Sequence, residues 1–142
     1  MLASGSSGNC VYLQKGNDKI LVDAGISCKQ ITERLKTIDC DVGSLTGVFI
    51  THEHSDHVKG LSVLARKYCL PVFINKATYE ALSPRYAEFD SRQIRFIDNC
   101  HQITLNKLKV TVVPKQHDAA DPVSFVVTDG IKRFGIITDL GE

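Results

Sequence analysis

An apolar stretch that runs straight into a cluster of histidines limits what this chain can fold into. The stretch "GVFI" predicts a buried strand, and "THEHSDH" (51–57) follows it without a spacer. His52 and His54 are two positions apart, so extended backbone directs both imidazoles to one side. Asp56 and His57 come where the next helix is predicted to begin, and a turn there brings them towards the first pair. The pattern predicts a metal-binding loop at a strand end.

One such loop can serve two adjacent ions, but four residues cannot complete two coordination shells. A zinc ion takes about four ligands, with nitrogen and oxygen donors at roughly 2.0–2.2 Å. Two further candidates follow strands: His117, in "PKQHDAADP", and Asp139, in "IITDLG". A carboxylate at the mouth of an apolar strand needs partners that offset its desolvation, and a metal supplies them. The predicted metal ligands are His52, His54, Asp56, His57, His117 and Asp139.

Several residues near these ligands have simpler interpretations. A single histidine after a strand is usually a surface or hydrogen-bonded residue, and His117 would be interpreted so without the cluster. We expect His101, in "DNCHQITL", to lie in a turn or on the surface. Glu53 and Ser55 alternate with the ligands, so we expect them to face away and support the loop.

Strand and helix signals alternate in the first half of the chain, and strands dominate the second half. "CVYLQK" and "KILVDAG" predict a hairpin, and "SCKQITERLKTI" predicts a helix capped by Ser27 with Ile31, Leu35 and Ile38 on one face. "VKGLSVLARKY" predicts one helix and "NKATYEAL" another, capped by Asn75. "QIRFI", "LKVTVVP", "VSFVVTD" and "FGIITD" predict strands. This order predicts a mixed sheet covered by helices, in the α/β or α+β class.

Composition narrows the possible classes of protein. The length of 142 residues fits one domain over residues 1–142, and 43% hydrophobic with 23% charged residues is ordinary for a globular protein. A net charge of +1 excludes a strongly basic tail but not a local basic patch. The sequence has no apolar run of about 18 residues, so we expect no transmembrane helix, and we expect the N-terminal residues not to be a secretory signal. Five cysteines without a C-x-x-C pair predict reduced, largely buried thiols in a cytoplasmic protein.

The ligand pattern resembles the metallo-β-lactamase superfamily. Its H-x-H-x-D-H signature is matched in full by "HEHSDH", and its third and fourth motifs are matched by His117 and Asp139. Asp23, in "LVDAG", matches an earlier aspartate that usually supports the metal loop by hydrogen bonding behind the ligands. The resemblance implies an αββα sandwich and runs through essentially the whole chain.

The resemblance also implies a two-metal hydrolase. It assigns the first ion to His52, His54 and His117 and the second to Asp56 and His57, with Asp139 bridging the two. A water shared by two divalent ions loses a proton near neutral pH and becomes the nucleophile, and Asp56 is the residue that can also orient it. Zinc fits these nitrogen and oxygen ligands, and manganese is the alternative.

Within the superfamily, "ASGSSGNCVYLQ", "HDAADPVSF" and "TDLG" are most similar to the bacterial WalJ-type group, which is exonuclease-like. "SGSSG" is interpreted as native sequence whose small residues let the backbone approach the metal site closely. Superfamily members carry a later histidine that completes the second metal site, and no histidine follows His117 here. We therefore expect the chain to be the N-terminal portion of a longer protein, without its C-terminal elements.

The resemblance makes a phosphodiester in DNA the expected substrate. A basic groove beside the metals, with salt-sensitive affinity for DNA, would support this; the candidate residues are Lys59, Arg66, Lys67, Lys115, Lys132 and Arg133. Hydrolysis of a small ester, thioester or lactam is a second possibility. A non-catalytic, metal-stabilised module is a third, and metal content below one ion per chain without turnover would favour it.

Overall fold

The computed structural model describes residues 1–139 of the chain, which form two β-sheets and four α-helices. The strands are β1 (Val11–Lys15), β2 (Asp18–Val22), β3 (Gly47–Phe49), β4 (Val72–Ile74), β5 (Ile94–Phe96), β6 (Gln102–Thr104), β7 (Lys109–Pro114), β8 (Val123–Thr128) and β9 (Arg133–Ile136). The helices are α1 (Cys28–Lys36), α2 (Ser55–Val58), α3 (Leu61–Tyr68) and α4 (Lys76–Ala81). Three 3₁₀ turns lie at Val42–Ser44, Pro84–Tyr86 and Ser91–Gln93.

The first sheet has the order β1-β2-β3-β4-β5. β1 and β2 form the predicted antiparallel hairpin, turning at Gly16, whose φ of 58° favours glycine. β2 to β5 are parallel, and Val22 at the end of β2 pairs with Phe49 at the end of β3. Because parallel strands end at the same edge of a sheet, the residues after β2 and β3 meet there. These residues are Asp23 and the segment "THEHSDH" (51–57), called the histidine loop below.

The second sheet is antiparallel, in the order β6-β7-β8-β9, and packs against the first. Alternation along β2 explains this: Leu21 faces the helices, whereas Ile20 and Val22 face the second sheet. Phe49 stacks on Phe73 with ring centroids 4.3 Å apart. The layer between the sheets is Ile20, Val22, Phe49, Ile97, Leu108, Val110, Val112, Val123, Phe125, Val127 and Ile136.

Helices α1 and α3 cover the other face of the first sheet. Ile31 and Leu35 of α1 are fully buried, and Leu61 and Leu64 of α3 pack in the same core. The mixed α/β architecture predicted from the sequence is therefore confirmed. Among the described residues no helix follows β9, and the outer face of the second sheet exposes apolar side chains such as Ile137.

Two local predictions need correction, and one strand was missed. Ile38 does not extend the apolar face of α1, because the helix ends at Lys36 and Ile38 is 51% exposed. The predicted single helix after the loop is two helices, α2 and α3, interrupted at Gly60. The chain packs closely against the segment after β2 at this point, because a Cβ at Gly60 would overlap the carbonyl oxygen of Ile26. Strand β6 was not predicted.

The cysteines are all free, but they are less buried than predicted. Cys10, Cys28 and Cys40 are buried, whereas Cys69 and Cys100 are exposed. Both exposed residues have positive φ in turns, and Cys69 forms the left-handed C-cap of α3, which directs it out of the apolar stretch around it.

The capping predictions are confirmed. Ser27 and Gln30 form a capping box at α1, and the Asn75 side chain accepts from the Thr78 N–H at the start of α4. The last three residues of "TDLGE" lie outside the described residues, which include Asp139. No helix in the described part of the chain has the length and apolar character that crossing a bilayer requires.

Candidate metal centre

The histidine loop lies at the edge of the first sheet where β2 and β3 end. Thr51 directly precedes His52, and its backbone carbonyl accepts from the Val123 N–H at 2.9 Å, which joins the loop to the second sheet. His54 is the N-cap residue of α2, and Asp56 and His57 form the first turn of this helix. The change from extended to helical backbone turns their side chains back towards His52, as the sequence predicted.

Asp23 anchors this loop from behind. The residue is 1% exposed and has a left-handed backbone with φ of 62°. Its Oδ1 accepts from the Thr51 backbone N–H at 2.8 Å, and its Oδ2 accepts from the Thr51 hydroxyl at 2.8 Å. Its Oδ2 also lies 2.7 Å from His57 Nδ1. A carboxylate only accepts, so His57 Nδ1 carries a proton, and Nε2 is the ring nitrogen that faces the cluster.

Thr51 fixes the second imidazole by the same logic. The single hydroxyl proton of Thr51 is donated to Asp23, so the hydroxyl oxygen accepts from His52 Nδ1 at 2.9 Å. His52 Nε2 is therefore the unprotonated nitrogen. It is buried and has no hydrogen-bond partner among residues 1–139. A buried nitrogen whose lone pair faces other candidate ligand atoms has the arrangement that a metal ligand requires.

Two groups of donors meet at His52. One group is His52, His54 and His117, and the other is His52, His57 and Asp139; within each group the donor atoms lie within 4.8 Å of one another. Oδ2 of Asp139 is 2.7 Å from His57 Nε2 and 3.6 Å from His52 Nε2. Oδ2 of Asp56 is 3.4 Å from His57 Nε2. The structure thus brings all six of the residues singled out as ligands to one place.

The two buried histidines have opposite electrostatic environments. Burial, together with the charges of the neighbouring histidines and Lys115, lowers the pKa of His52 to about 2, so this imidazole is neutral. Burial alone would lower the pKa of His57 as well. The hydrogen bond and charge of Asp23, together with the charges of Asp56 and Asp139, outweigh it and raise the pKa of His57. A metal at His57 would therefore compete with a proton.

The donor set fits a divalent cation. All candidate donors are imidazole nitrogens or carboxylate oxygens, the classes that zinc and manganese share. The buried His52 Nε2 gives the cluster an unsatisfied donor atom that a cation would satisfy. On these distances, the three histidines of the first group could hold one ion. His57, Asp56 and Asp139 could hold a neighbouring ion.

The residues between the ligands behave largely as predicted. Glu53 turns away from the ligands, and its Oε1 accepts from the Ala120 N–H at 2.8 Å, which ties the loop bearing His117 to the histidine loop. Ser55 is exposed. His101 is exposed, and its N–H donates to the carbonyl of Asp98 in a turn.

Two site residues were not predicted. Thr51 is fully buried and joins Asp23 to His52, although its position before the cluster gave no signal beyond proximity. Asn9 reaches the cluster from the "SGSSGN" segment, with Nδ2 3.2 Å from His57 Nε2. The predicted close approach of that segment was the available signal, but it did not single out Asn9.

The predicted basic residues are dispersed. Lys115 is half-buried beside the cluster, and its Nζ donates to the carbonyl and hydroxyl of Thr138, next to Asp139. Burial lowers the pKa of Lys115, while the charges of Asp139 and Asp23 oppose the shift. Arg66 instead pairs with Glu88 at 3.7 Å. Lys132 and Arg133 lie at the start of β9, at the opposite end of this strand from Asp139. Of the predicted basic residues, Lys115 is the one whose charge acts on the buried His52.

A family model described as "Beta-lactamase superfamily domain" matches residues 18–142. The chain belongs to the beta-lactamase superfamily. This confirms the resemblance carried by the histidine loop and its partner motifs.

Curated relatives within this superfamily are similar over nearly the whole chain. The chain is 38% identical over 142 residues to exodeoxyribonuclease YycJ of Bacillus anthracis, covering 99% of this chain and 53% of the relative. It is also 38% identical over 143 residues to exodeoxyribonuclease WalJ of Streptococcus pneumoniae serotype 2, with the same coverage. The predicted likeness to the WalJ-type group is confirmed. The chain spans about half the length of the curated relatives it matches.

Solved structures agree with the superfamily fold. Rm3 metallo-beta-lactamase superposes with a TM-score of 0.75 at 18% identity, covering 92% of this chain and 55% of the enzyme's chain. MEM-A1, a subclass B3 metallo-beta-lactamase from a soil metagenome library, gives a TM-score of 0.73 at 22% identity, covering 89% and 54%. At these identities the likeness concerns the fold, which matches the metallo-β-lactamase architecture predicted from the sequence.

Proposed function

We propose that this chain carries the metal centre of a di-metal hydrolase that cleaves phosphodiester bonds in DNA. The observation that carries the proposal is the junction of two donor groups at His52, whose buried Nε2 has no hydrogen-bond partner in the described part of the chain. Two groups of candidate ligand atoms that adjoin at one histidine would place two ions close together, as two-metal hydrolysis requires. The site draws on both sheets, so we also propose that residues 1–142 act as one domain.

The proposed assignment follows the donor distances. His52, His54 and His117 would hold the first ion, and Asp56 and His57 would hold the second, with Asp139 within reach of both. The position of Asp139 Oδ2, 2.7 Å from His57 Nε2 and 3.6 Å from His52 Nε2, supports the bridging role. Zinc is the proposed metal because the ligands are imidazoles and carboxylates, and manganese is the alternative.

Bound divalent ions would supply a nucleophilic hydroxide near neutral pH and stabilise negative charge that develops on the substrate. The chain's own residues set the conditions for this chemistry. Asp23 and Thr51 fix the tautomers of His57 and His52, so both rings present Nε2 to the centre. The Asp56 side chain is 31% exposed, which leaves it accessible to water, and we propose that it orients the attacking water. Asp56 is therefore the proposed catalytic residue.

Two observations support DNA as the substrate. The relatives named exodeoxyribonuclease are 38% identical over 99% of this chain. Lys115 places a cationic group beside Asp139, where it can meet a phosphate oxygen near the centre. A cytoplasmic location stays a prediction.

Metal analysis combined with DNA digestion tests this proposal. The purified chain is loaded with Zn²⁺ or Mn²⁺, and ions per chain are counted alongside release of nucleotides from end-labelled duplex and single-stranded DNA. A lactam and a thioester serve as parallel substrates. We expect metal-dependent release of nucleotides by the wild-type chain. We expect the Asp56→Ala variant to fold normally but to release no nucleotides. Asp98→Ala, a change at an exposed aspartate, is the matched control.

Three results would contradict the proposal in different ways. Full nuclease activity in Asp56→Ala would exclude the proposed role of that carboxylate. Turnover of the lactam or thioester without turnover of DNA would assign the site to small substrates. Fewer than one ion per chain with no turnover would indicate a non-catalytic module.

A further inference from the structure

Asn9 brings an amide to the candidate metal centre from the N-terminal segment. It is half-buried, between the "SGSSG" turn and β1. Its Nδ2 lies 3.4 Å from Asp56 Oδ2 and 3.2 Å from His57 Nε2. The segment "ASGSSGNCVYLQ", which carries the similarity to the WalJ-type group, includes Asn9 but gives it no role, so its contact with two of the proposed ligands requires its own explanation.

The backbone of Gly5 fixes the orientation of this amide. The Gly5 N–H donates to Asn9 Oδ1 at 3.1 Å, and Asn9 Nδ2 donates to the Gly5 carbonyl at 3.2 Å. Rotating the amide by half a turn would set donor against donor and acceptor against acceptor. The NH₂ group therefore faces the centre, and the amide oxygen is occupied by Gly5. This excludes Asn9 as an oxygen ligand and makes it a donor to the centre.

Backbone hydrogen bonds hold Asn9 and Asp56 together independently of the side chain. The Asn9 N–H donates to the Asp56 carbonyl at 2.7 Å, and the Gly25 N–H donates to the Asn9 carbonyl at 2.8 Å. A Cβ at Gly25 would overlap the Asp56 carbonyl oxygen, so this close approach depends on glycine. Replacing the Asn9 side chain leaves these backbone contacts in place.

We propose that Asn9 is a positioning residue that holds the Asp56 carboxylate in place for the second metal. Nδ2 carries two hydrogens, and one of them is donated to the Gly5 carbonyl. The second Nδ2 hydrogen faces both Asp56 Oδ2 and His57 Nε2. His57 Nε2 could not accept this hydrogen while its lone pair binds a metal. The hydrogen then goes to Asp56 alone and fixes one carboxylate oxygen. This inference rests on the proposed di-metal function and adds a residue to it.

Zinc titration of the intact chain tests the role of Asn9. Zn²⁺ alone is titrated in competition with a chromophoric chelator, which resolves a first and a second dissociation constant. Asn9→Ala removes the donor, and Asn9→Leu removes it while keeping a similar side-chain volume. Asn17→Ala, in the β1–β2 turn and exposed, is the matched control. We expect both Asn9 variants to weaken the second constant by about 10–100-fold, the usual effect of losing a hydrogen bond to a metal ligand.

The same titration separates positioning from packing. A packing role predicts that Asn9→Leu restores wild-type binding, and this result would overturn the inference. So would equal weakening of both constants, or a wild-type chain that binds a single ion at the three histidines. In an Asp56→Ala background we expect Asn9→Ala to have no further effect, because Asn9 acts through Asp56. A further loss of equal size there would also overturn it.

The readout is separate from that of the proposed function. If the wild-type chain binds two Zn²⁺ ions but digests no DNA, the substrate proposal fails while the titration still reports on Asn9. If DNA is digested and the second constant is unchanged in both Asn9 variants, the inference fails and the proposed function stands.

Discussion

Strand β2 has a buried aspartate at each end, and the two carboxylates have different kinds of partner. Asp18 opens the strand, and Asp23 follows it; each is 1% exposed. Asp18 accepts from the backbone N–H groups of Asn106 at 3.3 Å, Lys107 at 2.5 Å and Leu108 at 2.8 Å, and the Asn106 side chain adds a further hydrogen bond. It joins the two sheets at the end away from the histidines.

Asp23 instead accepts from side chains that belong to the candidate site. Two of its three donors are the Thr51 hydroxyl and the His57 ring, and Thr51 in turn fixes His52. Equal burial of the same residue type therefore serves two purposes. The comparison shows that the partners of a buried carboxylate, more than its burial, determine whether it supports the fold alone or also the chemistry.

Removing Asp23 should have the largest effect of all. Asp23→Ala leaves His57 Nδ1 and both donors of Thr51 buried without an acceptor, so we expect a loss of about 3–5 kcal/mol in the free energy of unfolding. We also expect both zinc constants to weaken, because the tautomers of His52 and His57 are no longer fixed. Urea unfolding and zinc titration measure the two effects. Metal binding that survives unchanged would contradict the role of Asp23.

Removing Asp18 should cost stability without affecting the metal centre. Asp18→Ala leaves three backbone donors without their acceptor, and we expect a loss of about 1–3 kcal/mol in the free energy of unfolding. The same urea and zinc measurements apply to this variant. Zinc constants equal to those of the wild type would sharpen the comparison, and a weakened second constant would break it.

Acid should remove the stabilisation due to Asp18. Burial raises the pKa of this carboxyl, but the backbone hydrogen bonds of Lys107, Leu108 and Asn106 outweigh it and lower the pKa below its ordinary 3.8. A lowered folded-state pKa means that the stabilisation is present above about pH 4 and is lost as pH falls through the folded-state value. Unfolding of the wild type and Asp18→Asn between pH 2 and 7 measures this. We expect the two curves to converge in acid, and a constant difference would contradict the cause.

At each end of β2, the sequence separation of the contacts explains how much of the structure was predictable. The histidine loop, the caps at Ser27 and Asn75, and the β1–β2 hairpin were predictable because their signals are local in sequence. The resemblance added Asp23 and its support of the loop. Neither route predicted Asp18, whose donors lie about 90 residues away on the second sheet.

The remaining errors have the same physical origin. The break at Gly60 depends on the carbonyl of Ile26, and the contribution of Asn9 depends on Asp56, 47 residues later. Periodicity and spacing depend on residues that are close in sequence, whereas these features arise from packing between distant segments. The exposure of Ile38 follows from where α1 ends, and helix ends are poorly fixed by periodicity alone.

Removing the Thr51 hydroxyl should have an intermediate effect at the site end. Thr51→Val keeps the shape of the side chain but removes the link between Asp23 and His52, so we expect a loss of about 1–2 kcal/mol. We also expect a weaker first zinc constant, because His52 Nδ1 loses its acceptor. Thr46→Val is a threonine control whose hydroxyl accepts from the Lys19 N–H outside the site. An unchanged first zinc constant in Thr51→Val would contradict the account.

Truncating Lys107 should have the smallest effect. Its backbone N–H, not its side chain, donates to Asp18, so Lys107→Ala leaves that hydrogen bond in place. We expect a change within about 0.5 kcal/mol, as for most exposed substitutions. A larger loss in urea unfolding would show that the Lys107 side chain also stabilises this end of β2.

Counting zinc ions in the wild type and in His52→Ala tests the central claim most directly. His52 is a proposed ligand of the first ion, and its Nε2 lies 3.6 Å from Oδ2 of Asp139, so its loss should remove the first ion and weaken the hold on the second. After equilibration with Zn²⁺ and removal of free metal, the account predicts two ions per wild-type chain and at most one per His52→Ala chain. Two ions retained by His52→Ala, or a single ion in the wild type, would contradict a di-metal centre built around this histidine.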